Sequence, residues 1–146
     1  MHNAIKTILF PELFIGFVAP VGTDISSTLK SFKNFFNSEG YKVVTLKVTD
    51  YFGNIDRSIK SKVKLKNAHE DERIKSYIEF GNDVRRQFKD DSVLAAYTIF
   101  RIMRERIKLG RRSPEFAFNK TVYLIHQFKR KEEVDLFRSV YGKLFF

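Results

Sequence analysis

A chain of 146 residues with 43% hydrophobic and 15% aromatic side chains can pack one domain and is too apolar to remain disordered. The absence of cysteine excludes disulfides and thiolate metal sites, three scattered histidines offer no zinc cluster, and no apolar run approaches the ~20 residues needed to cross a bilayer. The net charge of +10 points to anionic partners, and residues 51–112 concentrate it with 16 basic against 9 acidic side chains.

In the opening MHNAIKTILFPELF, Pro11 and Glu12 interrupt a short apolar stretch and no small-residue cleavage site follows. No signal peptide is therefore expected, and the expected location is cytoplasmic, away from membranes. Residues 13–26 then read LFIGFVAPVGTDIS. The apolar run without alternation predicts that residues 13–19 form the central strand of a parallel sheet, buried on both faces. Pro20 and Gly22 turn the chain, and Thr23 and Asp24 are side chains that cap a helix.

A strand, a tight turn and a helix N-terminus together form an anion site. The phosphate-binding pattern GxxxxGK[ST] adds a lysine for the β- and γ-phosphates and a hydroxyl for magnesium. Here Gly16 sits one residue early, Gly22 keeps its place, Thr23 stands where the lysine belongs and Asp24 replaces the hydroxyl residue. The cradle is kept without its charge. Asp24 repels phosphate unless magnesium bridges the two, so any nucleotide should bring the ion with it. A plain strand-to-helix turn is the competing account of the same residues.

Residues 24–38 carry Ile25, Leu29, Phe32, Phe35 and Phe36 at helical spacing, with Gly40 as the stop. YKVVTLKV follows as a second strand, so the two strands and their helix predict a βαβ unit with parallel strands. In KSKVKLKN, Lys60, Lys62, Lys64 and Lys66 recur at period two. An extended backbone would align them on one side, either as a solvated loop or as a rail for the phosphates of RNA or DNA.

Residues 68–88 return to helical spacing through Ile74, Tyr77, Ile78, Val84 and Phe88. A further helix runs from Asp90 or Asp91 to Gly110, with Val93, Ala96, Tyr97, Phe100, Met103 and Ile107 as its expected buried stripe. Arg101, Arg104, Lys108, Arg111 and Arg112 gather toward its end, where cations suit the helix dipole. KTVYLIHQF is a third strand holding His126 as a core or edge histidine, and KEEVDLFRSVYG a helix whose Glu132 and Glu133 favour its N-terminal end. Lys129 and Arg130 fall at the carboxyl end of that strand, where open α/β sheets bind ligands, and are candidates to replace the missing loop lysine. KLFF begins another strand, so either the natural chain continues past Phe146 or Phe146 ends an edge strand. The fold class is α/β, a doubly wound and mainly parallel sheet with a helical pair inserted after the second strand.

PELFIGFVAPVGTDIS, SYIEFGNDVRR and YLIHQFKRKEEVDLFRSVYGKLFF resemble the N-terminal region of the anti-phage deoxycytidylate deaminase family. The matching positions are Gly16, Pro20, Gly22, Thr23 and Asp24, then Gly81 and Arg85, then Lys129, Glu133, Val134, Arg138, Tyr141 and Gly142. Ala19 replaces a glycine of that pattern, and His126 and Gln127 stand where a polar residue followed by serine is usual. The resemblance implies that residues 1–146 are a single P-loop kinase-like domain, with a zinc deaminase domain beyond residue 146. Zinc deaminases need HxE and PCxxC motifs, which this chain lacks, so it is expected to hold no zinc and to have no deaminase activity alone.

The function expected is therefore a degenerate nucleotide-binding or regulatory domain associated with such a deaminase. Gly16, Pro20, Gly22, Thr23 and Asp24 would form the phosphate cradle, Arg85, Lys129 and Arg130 would supply charge, and no residue is assigned a catalytic or metal-ligating role. The alternative is a non-catalytic basic module that binds RNA or DNA. An active nucleotide kinase ranks last, because the loop lysine is its main electrostatic catalyst.

Overall fold

The computed structural model describes residues 11–108 and 120–146. The helix stop assigned to Gly110, the cations Arg111 and Arg112, and residues 1–10 lie outside the described residues. Three strands, β1 (Leu13–Val18), β2 (Lys42–Lys47) and β3 (Thr121–Phe128), form an all-parallel sheet in the order β1-β3-β2. The chain is α/β, as its periodicities predict.

The central strand is nevertheless β3. The sequence expectation put that role on residues 13–19, but β3 inserts between β1 and β2, which pair with it and not with each other. Thr121 to Ile125 are all buried, whereas Phe14 is the only fully buried side chain of β1. Beyond β1, Phe146 donates its N–H to the Phe14 carbonyl and accepts from Gly16 N–H, both at 2.9 Å, but the expected strand over KLFF is reduced to one isolated parallel bridge at Phe145, because Gly142–Leu144 form a 3-10 turn.

Among the described residues five α-helices connect and cover the strands: α1 (Ser26–Ser38), α2 (Phe52–Ile59), α3 (Glu70–Phe88), α4 (Val93–Lys108) and α5 (Lys131–Tyr141). Phe14, Leu46, Tyr123, Ile125 and Phe128 of the sheet pack with Ala95 and Ile102 of α4 and Phe137 of α5. Phe17, of opposite strand parity to Phe14, meets Phe32 of α1 edge-on at 5.2 Å, so helices lie against both faces. Within α1 no residue is fully buried, and Phe35 is 59% exposed.

A second apolar cluster joins Phe52 and Ile55 of α2, Phe80 and Val84 of α3, and Leu94 of α4. On two helices its packing matches the expected stripe only in part: Val84 is buried and Tyr77, Val93 and Tyr97 pack against the cluster as expected, but the rest of the inner face differs. On α3 the buried face is Ser76, Phe80, Gly81, Val84 and Arg85, while Ile78 and Phe88 are exposed. On α4 it is Leu94, Ala95, Thr98 and Ile102, while Phe100, Met103 and Ile107 face outward. Both helices carry apolar residues around much of their circumference, so spacing alone cannot select the inner side. Thr98 is tolerated inside because its hydroxyl donates to the Leu94 carbonyl at 2.9 Å.

At the amino ends of the strands, fully buried Glu12 accepts two bonds from Arg106, at 2.5 and 3.2 Å, and one from the Tyr123 hydroxyl at 3.3 Å. This ties the last turns of α4 to the entry of β1. A buried carboxylate is tolerable only with such partners.

Candidate functional site at the strand carboxyl ends

β1, β2 and β3 all point their carboxyl ends at a cavity of about 340 Å³ bordered by Val48, Phe52, Tyr77 and Leu94 of the α2–α4 apolar cluster. Val21 borders it from the β1–α1 loop, Lys47 to Thr49 from the end of β2, and His126, Gln127, Lys129 and Arg130 from the end of β3. Phe52, Tyr77, Asn82 and Arg85 supply the helical wall. Parallel α/β sheets bind ligands at this end.

The aromatic wall is held rigidly. Phe52 stacks on Tyr77 with centroids 5.5 Å apart and planes 29° from parallel, and leans on Phe80 at 4.8 Å. The Tyr77 hydroxyl donates to Asn67 Oδ1 at 3.1 Å, which fixes the ring from its outer edge. Gly81 lines the cavity without narrowing it; a Cβ there would touch Leu94 and Phe52 at 3.7 Å and the Arg85 guanidinium at 3.4 Å.

Four cations, Lys47, Arg85, Lys129 and Arg130, line the cavity against the single carboxylate of Glu133. They are not equally available. Arg85 is buried and bound to Glu133 Oε1 at 2.6 Å. Glu133 Oε2 accepts the backbone N–H groups of Lys129 at 2.7 Å and Arg130 at 3.1 Å, so one carboxylate caps α5 and neutralises Arg85. Arg130 donates to Asn82 Oδ1 at 3.3 Å from an exposed position. Lys129 Nζ donates to the Ala19 carbonyl at 3.0 Å and so clips the β1–α1 loop to the end of β3. Burial lowers the Lys129 pKa from its ordinary value, against the pull of Glu133.

The loop itself is tighter than a phosphate cradle. Gly22 has φ of +83° and Thr23 N–H donates to the Pro20 carbonyl at 3.2 Å, the geometry of a glycine-dependent turn. Asp24 Oδ1 accepts Ser26 N–H at 2.8 Å, and bonds from Ser26 hold its carboxyl below the usual aspartate value. Thr23 and Ser26 therefore spend their amides inside the loop. Gly16, counted with the cradle on sequence, lies within β1, and its amide goes to Phe146. Its missing side chain makes room for the Phe128 and Phe145 rings, not for a phosphate.

The structure thus brings Arg85, Lys129 and Arg130 together with the loop side of β1, and leaves Pro20, Gly22, Thr23 and Asp24 near the rim of the sheet. Lys60, Lys62, Lys64 and Lys66 stand apart from the cavity. All four are exposed, while Ser61, Val63 and Leu65 between them turn inward, which matches the period-two pattern. Bonds from Ser61 Oγ to Asp83 and from Lys66 N–H to Ser76 Oγ dock this segment along α3.

Helix α2 was not expected from the sequence, although Phe52, Ile55 and Ile59 recur at steps of three and four. Nor was a ligand role expected for Phe52, Tyr77, Asn82 or Gln127. No family model, curated protein or solved structure matches the chain. Among the described residues, no cluster of three or more His, Asp or Glu side chains is arranged for a metal ion, and no helix is long and apolar enough to cross a membrane.

Proposed function

We propose that this chain is a degenerate P-loop kinase-like domain, doubly wound in plan, that binds a nucleotide and regulates an associated anti-phage cytosine-nucleotide deaminase. The observation that carries nucleotide binding is the cavity at the strand carboxyl ends, with a stacked aromatic wall on one side and Lys129 and Arg130 on the other. A nucleotide is a flat ring joined to an anion, and it satisfies both. The deaminase association rests on the sequence resemblance and the absence of a zinc motif in the chain itself.

Phosphate is held mainly by Lys129 and Arg130 in the turn between β3 and α5, because the β1–α1 loop offers no lysine and keeps two of its amides. Magnesium accompanies the nucleotide and screens Asp24. Turnover is negligible, since Thr23 stands where the loop lysine would follow a transferring γ-phosphate. Calorimetry with dNTPs, with and without magnesium, is the test. Magnesium should tighten binding, Lys129→Ala should weaken it, and Asp24→Ala should improve the magnesium-free affinity. Affinity indifferent to Lys129 and Arg130 would refute the assignment.

The exposed alternation of Lys60, Lys62, Lys64 and Lys66 favours a second role for the same chain, contact with RNA or single-stranded DNA through phosphates alone. This surface is separate from the cavity, so the two functions are testable separately.

A further inference from the structure

β3 alternates regularly as far as Ile125, with Tyr123 and Ile125 in the core shared with α4 and α5. Strand parity would put Gln127 there next. Instead, the pairing with β1 shifts between Gly16 and Val18: Gly16 aligns with Ile125, but Val18 aligns with Phe128. One extra residue is accommodated in β3, and Gln127 takes a left-handed conformation with φ of +62°. Phe128 consequently joins the core in place of Gln127, entering the space above Gly16.

Bulges of this kind re-aim side chains next to binding sites. A glutamine in the left-handed region is a strained choice at a position where glycine or asparagine would sit more easily. The residue released from the core sequence of β3 lines the cavity, opposite Asn82 of α3. Asn82 is itself oriented: its Oδ1 accepts from Arg130 at 3.3 Å and from Arg85 at 3.5 Å, which leaves the NH₂ half of the amide for a ligand. Two carboxamides therefore border a cavity that is also lined by the Phe52–Tyr77 pair, by Val48, Ile78 and Leu94, and by the cations already described.

We infer that Gln127 and Asn82 read the hydrogen-bonding edge of a nucleobase packed against the Phe52–Tyr77 wall, with Gln127 as the residue that sets base preference. The inference rests on the nucleotide-binding proposal and adds to it where the base lies and what selects it. An apolar ligand would desolvate both carboxamides without replacing their bonds with water, and a simple anion would leave the aromatic wall unused. A planar ring carrying both donors and acceptors uses the two amides and the stack together, at a cavity volume suited to one nucleoside.

The test uses the full 146-residue chain and the four deoxynucleosides without phosphate, followed by saturation-transfer NMR and calorimetry, with inorganic tripolyphosphate as a parallel probe. One deoxynucleoside should bind better than the others. Gln127→Gly keeps the left-handed backbone while deleting the carboxamide, so it should fold at least as well and reduce the ratio between best and worst base by about tenfold. Gln127→Asn, which also tolerates this backbone, should restore part of the preference. Tyr77→Ala should weaken all four bases alike. Equal binding of all four bases by the native chain, or a preference unchanged in Gln127→Gly, would overturn the inference. If tripolyphosphate and dNTPs bind equally and nucleosides do not bind, the base site falls while phosphate binding stands. If nucleosides bind selectively but phosphates add nothing, the base site stands and the nucleotide proposal must be revised.

Discussion

A Cβ atom on Gly16 would stand 2.5 Å from Cε2 of Phe128 and 2.9 Å from a ring carbon of Phe145. The glycine of β1 and the phenylalanine at the end of β3 are thus complementary. Phe128 reaches the core only because the bulge at Gln127 changes its parity, and it fits only because residue 16 has no side chain. Gly16→Ala should therefore destabilise the fold by about 1–3 kcal/mol, the range for overpacking a well-filled core. Urea denaturation measures this directly. Phe128→Leu should relieve part of the loss when combined with Gly16→Ala; strictly additive effects would mean that the two residues do not share the space.

The Arg85–Glu133 pair joins α3 to α5 beside the cavity, and its two ends are not equivalent. Removing either charge leaves a buried partner unpaired, which costs about 3–5 kcal/mol. Glu133→Ala should be worse than Arg85→Ala by roughly 1 kcal/mol, because it also strips the cap from the Lys129 and Arg130 amides. Equal losses in the two variants would show that the cap contributes nothing. Glu133→Gln, which keeps an acceptor for those amides, should fall between the native chain and Glu133→Ala.

Two half-buried groups set opposite ends of the pH profile. Burial pushes the Tyr141 phenol up to about 12, where it stacks on Phe14 at 3.7 Å. Its folded value lies above its unfolded value near 10, so the stability it contributes is present below about pH 10 and is lost as pH rises toward 12. The full loss is about 2–3 kcal/mol, and Tyr141→Phe should remove this alkaline limb of the denaturation curve. Burial, followed by the nearby Lys47 charge, pushes His126 below its ordinary 6.5. Here the sign is reversed: stability is complete above 6.5 and declines as pH falls through the depressed value, because the unfolded state binds the proton first. His126→Asn should flatten the profile between pH 7 and 5. A profile unchanged by that substitution would remove His126 from the account.

The lysine segment predicts a salt effect. Single-stranded RNA or DNA should bind weakly at low salt and dissociate steeply as salt is added. Changing Lys60, Lys62, Lys64 and Lys66 together to Gln should reduce the slope of log K against log salt by about 0.7 for each lysine that contacts a phosphate. Gel-shift titrations at several salt concentrations provide the number. No retention of nucleic acid at low salt would leave the segment as a solubilising surface only.

Much of this molecule was legible in one dimension because its physics is local. The apolar runs of β1, β2 and β3, the glycine turn at Gly22 and the alternation of Lys60 to Lys66 depend on neighbours within a few residues, so pattern and residue type were sufficient. Glu133 could be placed at the start of α5 for the same reason, since helix amides favour a carboxylate there. What only the tertiary structure decided was set by partners far away in the chain. β3 became the central strand because it pairs on both edges, with strands that precede it by more than seventy residues. The inner stripe of α3 was chosen by the second core and that of α4 by both cores, since each helix offered more than one apolar side. The parity change that moves Phe128 inward and leaves Gln127 at the cavity exists only where β3 meets the side-chain gap at Gly16, and a strand's own sequence carries no record of the strand that will pair with it.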